Sequence, residues 1–104
     1  MKIEIQETTK RKKIVDVTFP YYYKHVIDLD NDDGDVVVIY GKIEDGKYTK
    51  IAEKLRKSNF EYGLEIWKLK SFRYLSEYFS DEHKSNEAEF MSAKSRFVSA
   101  LNNV

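Results

Sequence analysis

The segment at residues 36–43 most constrains what this chain can fold into, because β-branched and aromatic residues fill it. It runs into Asp45-Gly46, a pair that is the strongest short-range signal for a two-residue hairpin loop. Glu44 and Lys47 would face each other across that loop as an oppositely charged pair. The segment therefore predicts a central strand that forms the first half of a β-hairpin.

Residues 36–40 are apolar on both faces of this predicted strand, so each face needs a cover. One face is expected to point at a helix and to contain Val37, Ile39, Ile43, Phe60, Tyr62, Leu64 and Ile66. The other face would contain Val36, Val38, Tyr40, Ile51 and Leu55, with Trp67 and Leu69. A bare apolar face of this size exceeds what soluble monomers normally expose. Its cover is either a short helix around Phe72, a second copy of the chain or another protein.

Two further segments before this strand predict a hairpin. Ile3 and Ile5 alternate with polar residues, and the alternation returns in Val15, Val17 and Phe19 after the polar residues 8–11. Pro20 lacks a backbone N–H, so we expect the second strand to end there or to run along an edge. Residues 21–27 show no clean period, and residues 28–35 have the composition of a loop.

The segment at residues 48–57 fits two structures. As a helix it would place Tyr48, Ile51, Ala52 and Leu55 at spacings of three and four. As a strand it would pair Ile43 with Tyr48, Tyr40 with Ile51, and Val36 with Leu55. We favour the strand, because a tight turn makes continuation of the hairpin the shorter connection. A further strand would follow over residues 60–66, where apolar and polar residues alternate.

The last third of the chain changes to a helical period. Phe72, Leu75 and Phe79 predict a short helix, and Asn86 followed by Glu89 forms a capping-box pattern that begins a longer one. That longer helix would bury an apolar side made of Phe90, Met91, Phe97, Val98 and Leu101, with Ala93 and Ala100. The predicted fold is α+β: a single small domain over residues 1–104, with an antiparallel meander of about five strands and both helices packed on the sheet.

Composition narrows the class of protein. The chain has 104 residues, 18 basic and 18 acidic side chains and no cysteine, which excludes a disulfide framework and a thiol nucleophile. No window approaches the roughly 18 apolar residues of a membrane span, and the first residues lack an apolar leader. We therefore expect a soluble, cytoplasmic protein with no membrane partner.

Sequence motifs give little support to catalysis. Asp28, Asp30 and Asp32 are spaced as in a calcium loop, but Asp33 stands where the glycine belongs. His25 and His83 are far apart and have no neighbour at metal-ligand spacing. We predict no catalytic residue, no cofactor and no metal, and hence a protein that is not an enzyme. A small enzyme whose site is assembled from distant residues is the remaining alternative.

Binding is the favoured function. Abundant tyrosine, an oversupplied sheet face and opposed charge patches predict a non-catalytic protein-binding module, whose partner is another protein or a second copy of the chain. The candidate partner-binding residues are Tyr21, Tyr22, Tyr23, Asp28, Asp30, Asp32, Asp33 and Asp35. The composition also fits an accessory or inhibitor-type protein of a phage or mobile element.

A nucleic-acid-binding domain is the second prediction. A basic turn and a tyrosine cluster would supply phosphate contacts and rings for base stacking. The candidate basic residues are Lys10, Arg11, Lys12 and Lys13. The zero net charge and the acidic residues 28–35 oppose this function.

Overall fold

A computed structural model of the chain describes residues 1–6, 12–29, 34–56 and 59–103. The elements, in chain order, are β1 (Lys2–Gln6), β2 (Lys12–Asp16), β3 (Tyr21–Asp28), β4 (Val36–Glu44), β5 (Lys47–Arg56), β6 (Asn59–Lys68), a 3₁₀ helix (Arg73–Tyr78) and α1 (Glu87–Asn102). In the described part of the chain, no helix is both long enough and apolar enough to cross a membrane.

The strands form two antiparallel sheets. β3, β4, β5 and β6 form a four-stranded meander in that order, and β1 and β2 form a separate hairpin. The α+β class is confirmed, but the single meander of about five strands divides into four strands plus two. The division falls before Pro20, which cannot donate a ladder hydrogen bond. β3 was not predicted, because both of its faces are partly covered and its residues therefore do not alternate between apolar and polar.

The central hairpin has the predicted register. Ile43 pairs with Tyr48, Tyr40 with Ile51, and Val36 with Leu55, so the strand interpretation of this segment is confirmed by β5. Gly46 adopts a φ of 86°, the left-handed conformation that the tight turn requires. The Asp45-Gly46 turn and the residue pattern of the two strands together predicted this pairing.

The predicted assignment of side chains to faces is wrong for β6. Ile51 pairs with Leu64, and Leu55 pairs with Phe60, so the apolar row of β6 shares a face with Tyr40 and Ile51 rather than with Ile39 and Ile43. Trp67 pairs with Tyr48 and lies on the other face. Alternation shows which residues of one strand share a face, but it does not show which face of the sheet they share.

Each face of the sheet has its own core. The β1–β2 hairpin and the 3₁₀ helix cover the first face, which we call the hairpin face. Its buried residues are Ile3, Val17, Tyr23, Ile39, Ile43, Tyr48, Leu75 and Phe79. Helix α1 covers part of the opposite face, the helix face, where Tyr40, Ile51, Phe90 and Ala93 are buried.

Helix α1 therefore packs on the face opposite to the predicted one. Its predicted N-cap is confirmed, because the Glu89 N–H donates to Asn86 Oδ1 at 2.9 Å. The buried stripe is narrower than expected, since Met91, Val98 and Leu101 are exposed. The helix contacts β4, β5 and β6 but leaves the outer part of the sheet bare.

Candidate binding surface

The two outer strands of the four-stranded sheet differ in how their edges are covered. Residues 83–85 cover the first part of the β3 edge, at residues 22–24: the Lys24 N–H donates to His83 O at 2.8 Å, and the Ser85 N–H donates to Tyr22 O at 2.9 Å. No described segment pairs with the outer edge of β6. A strand of ten residues thus presents its unpaired backbone groups at one side of the sheet.

β6 also carries an exposed apolar row on the helix face. Phe60 is 60% exposed, Leu64 44% and Ile66 61%, and Leu55 of β5 is exposed beside Phe60. Tyr62 lies in the same row, but its ring contacts Phe97 of α1 with centroids 6.5 Å apart. We call Phe60, Leu64 and Ile66 the β6 row. Single exposed apolar residues are common, whereas an exposed apolar row on an open edge is a candidate interaction surface.

A shallow groove lies beside this row, between β6 and α1. Its volume is about 410 Å³, and it is lined by Tyr62, Ser95, Arg96, Ser99, Ala100 and Asn103. The small side chains of α1 at these positions leave room next to Tyr62. The groove extends the exposed surface from the sheet edge onto the helix.

The opposite side of β6 carries two carboxylates and an exposed tryptophan. Glu61 lies 3.6 Å from Arg56, and Glu65 lies 3.7 Å from Lys50. The exposed Trp67 indole donates to Glu65 Oε2 at 3.3 Å. Both carboxylates of β6 therefore have cationic neighbours within their own sheet.

A partly buried ion pair holds α1 to the sheet next to this surface. Arg96 donates from Nε to Glu53 Oε2 at 2.6 Å and from Nη2 to Glu53 Oε1 at 2.9 Å, and Glu53 is only 8% exposed. The hydrogen bond from Arg96 to Glu53 raises the pKa of the guanidinium. The guanidinium also lies over the Tyr40 ring, 5.6 Å from its centroid. This two-point contact fixes the position of the helix relative to β5.

The tyrosine candidates contribute mainly to packing. Tyr23 is 1% exposed, and its ring stacks on that of Tyr78 with centroids 3.9 Å apart. The Tyr21 hydroxyl donates to Tyr78 O at 2.8 Å, and Tyr22 packs against Phe90. Burial is the main cause that raises the pKa of all three hydroxyls. Tyr23 is therefore a core residue, and Tyr21 and Tyr22 keep only part of their surface open.

Only some of the charged candidate residues lie in the described part of the chain. Asp28 is exposed at the end of β3, whereas Asp35 is buried and its carbonyl accepts the Leu29 N–H at 3.1 Å. Asp30, Asp32, Asp33, Lys10 and Arg11 lie outside the described residues. Lys12 and Lys13 belong to β2, and only the backbone of these two residues is described. The acidic and basic surfaces predicted from these residues stay predictions.

One cluster was not predicted from the sequence. His25 Nδ1 and His83 Nδ1 lie 3.3 Å apart, and both rings pack against Tyr78. No pattern could reveal this contact, because it depends on residues 83–85 covering the edge of β3. Within the described ranges no group of three or more metal-ligand side chains is present.

Comparisons with protein-family models, with curated proteins and with solved structures found no match to this chain.

Proposed function

We propose that this chain is a non-catalytic protein-binding module that binds its partner at the outer edge of β6. The observation that supports the proposal is the difference between the two sheet edges: residues 83–85 pair with residues 22–24 of β3, whereas no described segment pairs with β6, which carries the β6 row. Natural proteins normally protect such an edge, because unpaired strands recruit other chains. An open edge with apolar side chains is suited to recruit one.

The physical basis of binding would be strand addition. A partner strand laid along β6 would satisfy its free N–H and C=O groups, which supplies affinity, while side chains on alternate positions supply specificity. Ten residues extend over roughly 33 Å at about 3.3 Å per residue. The β6 row and the adjoining groove would form the apolar part of the interface.

Nucleic-acid binding receives less support from the described residues. The rings of Tyr21, Tyr22 and Tyr23 pack against other residues of the chain and offer little surface for stacking. The basic residues Lys10 and Arg11 lie outside the described part. This second function predicts binding that weakens steeply with added salt.

Two finer proposals rest on composition alone. Because the chain has no cysteine, its fold needs no disulfide bond. This is compatible with a reducing compartment, and we propose the cytoplasm. The amino-acid composition is also the basis on which we propose an accessory or inhibitor-type role in a phage or mobile element.

The proposal is tested by affinity capture from an extract of the native host, with tagged chains that differ at one position. Ile66→Lys places a charge in the β6 row, and Val26→Lys is the matched control. Val26 is also β-branched, lies on the same face of the opposite outer strand and is 57% exposed, close to the 61% of Ile66. Circular dichroism and thermal unfolding verify that both variants fold.

We expect Ile66→Lys to lose the proteins that the wild-type chain and Val26→Lys both retain. Retention of the same proteins by Ile66→Lys, or capture of none by the wild-type chain, would contradict the proposal. A third variant replaces Asp30, Asp32 and Asp33 with Asn. Loss of capture in that variant alone would assign binding to the acidic segment and overturn the assignment to β6.

A further inference from the structure

We infer that the partner of β6 is a second copy of this chain, paired antiparallel with it about a two-fold axis at Leu64. The inference rests on the proposed function and specifies its partner. Three properties of β6 lead to it: the direction of its free backbone groups, the pattern of its charges and the position of its apolar residues.

The free backbone groups of β6 belong to the same residues as the apolar row. In an antiparallel ladder the N–H and C=O of one residue point to the same neighbouring strand, and the direction alternates along the chain. The Leu69 N–H donates to Gly46 O at 3.0 Å, so the odd-numbered residues of this strand point towards β5. The backbone groups of the β6 row, and of Tyr62 between its residues, therefore point outwards.

An axis at Leu64 gives a continuous apolar seam. Leu64 of one copy lies opposite Leu64 of the other, Tyr62 lies opposite Ile66, and Phe60 lies opposite Lys68. All of these side chains are on the helix face, since residues directly opposite each other in a ladder share a face. The outward backbone groups of each pair then meet as hydrogen-bonded partners.

The charges of β6 favour this register over its neighbours. With the axis at Leu64, Glu61 lies opposite Trp67 and Glu65 lies opposite Gly63, so no like charges face each other directly. Moving the axis to Gly63 would place Glu61 opposite Glu65 twice, and moving it to Glu65 would place two copies of Glu65 together. Like charges directly opposite each other in a ladder are destabilising. Axes at Tyr62 or Ile66 shorten the paired region.

The resulting dimer would contain one eight-stranded sheet with β6 at its centre. The outer edges of that sheet would be the two copies of β3, each covered at residues 22–24 by residues 83–85. Pairing of one patch with itself is the usual geometry of a two-fold dimer. Dimerisation would therefore cover the edge of the four-stranded sheet that the described part of the chain leaves open.

The test measures the mass of the purified full chain by light scattering. We expect the wild-type chain and Val26→Lys to have twice the 12.3 kDa of one chain. Leu64→Lys and Leu64→Glu would each place two like charges opposite each other and give single chains. An equimolar mixture of these two variants would restore the double mass, because the ammonium introduced in one chain would then face the carboxylate introduced in the other.

A wild-type chain with the mass of one copy would overturn the inference. So would a dimer that persists in Leu64→Lys, or a mixture of folded variants that stays monomeric. If the wild-type chain is monomeric but captures another protein in an Ile66-dependent way, the partner is not a second copy and the proposed function stands. If the chain neither dimerises nor captures a protein in this way, both proposals are wrong.

Discussion

Gly41 lies directly opposite Tyr23 in the β3–β4 ladder, and the Tyr23 ring occupies the space that a side chain at position 41 would fill. The ring is thereby held flat on the sheet, where it stacks against Tyr78 and meets the Tyr48 hydroxyl. The core of the hairpin face thus depends on the absence of a side chain at one position.

Gly41→Ala should consequently destabilise the fold. A Cβ at this position would overlap the buried ring, so we expect a loss of about 2–3 kcal/mol in the free energy of unfolding, measured in urea. Gly63→Ala is the matched control, because the nearest atom to its Cβ would be Ala52 Cβ at 4.0 Å. The control should not destabilise the fold and should stabilise it by up to about 1 kcal/mol, because alanine restricts the unfolded chain more than glycine does. Equal effects of the two substitutions would show that Tyr23 does not pack on Gly41.

Removal of the Arg96 side chain should weaken the packing of α1 on the sheet. Arg96→Ala leaves the buried Glu53 carboxylate without its two-point partner, and we expect a loss of about 2 kcal/mol because the Arg96 side chain is itself partly exposed. Arg56→Ala, at an exposed pair with Glu61, should cost less than about 0.5 kcal/mol. Urea unfolding measures both values, and a larger loss from Arg56→Ala would be contrary to this account.

Alkaline pH should destabilise the hairpin-face core. Burial raises the pKa of Tyr48 from 10.0 to about 12 and also raises the pKa of Tyr23. A raised folded-state pKa means that this stabilisation is complete below pH 10 and is lost as the pH rises towards 12. For Tyr48 the loss amounts to about 3 kcal/mol, since each pKa unit corresponds to about 1.4 kcal/mol.

Urea unfolding across this pH range measures the effect. Tyr48→Phe should flatten the dependence above pH 10, because it removes one of the titrating hydroxyls. Tyr74→Phe is the control, since Tyr74 is 86% exposed. An identical slope in wild-type and Tyr48→Phe proteins would argue against a buried Tyr48 hydroxyl.

Loss of the α1 cap should shorten or weaken the helix. Asn86→Ala removes the acceptor for the Glu89 N–H, and we expect a loss of about 1 kcal/mol in unfolding free energy. Asn86→Asp should retain the cap, because a carboxylate also accepts this bond at a helix N-terminus. Equal losses in the two variants would exclude capping as the role of Asn86.

The sequence predicted local structure better than it predicted the arrangement of faces. The register of β4 with β5 followed from the Asp45-Gly46 turn, and the start of α1 followed from Asn86, because both depend on neighbouring residues. The side of the sheet that α1 covers depends on long-range packing, for which Phe60 and Leu64 give no local signal. The contact of His25 with His83 could not be predicted either, because it also depends on long-range packing.

The sequence predicted an excess of apolar side chains on the sheet but not the strand that exposes them. An excess of apolar side chains on the sheet was apparent from residues 36–40, yet α1 and the β1–β2 hairpin cover most of β4. The exposed excess lies on β6, because α1 contacts Tyr62 of this strand but leaves Phe60, Leu64 and Ile66 exposed. Which strand of a meander is left at an open edge depends on the connections that cover the other edge.

The most direct test of the central claim is amide hydrogen exchange in β6, measured by NMR. In the dilute, unbound chain the outward amides of Tyr62, Leu64 and Ile66 should exchange fast, while those of Glu61 and Glu65 are protected by β5. Raising the concentration of the chain, or adding a captured partner, should protect the three outward amides in the wild-type protein but not in Ile66→Lys. Fast exchange of all three in the wild-type protein under every one of these conditions would contradict binding at the edge of β6.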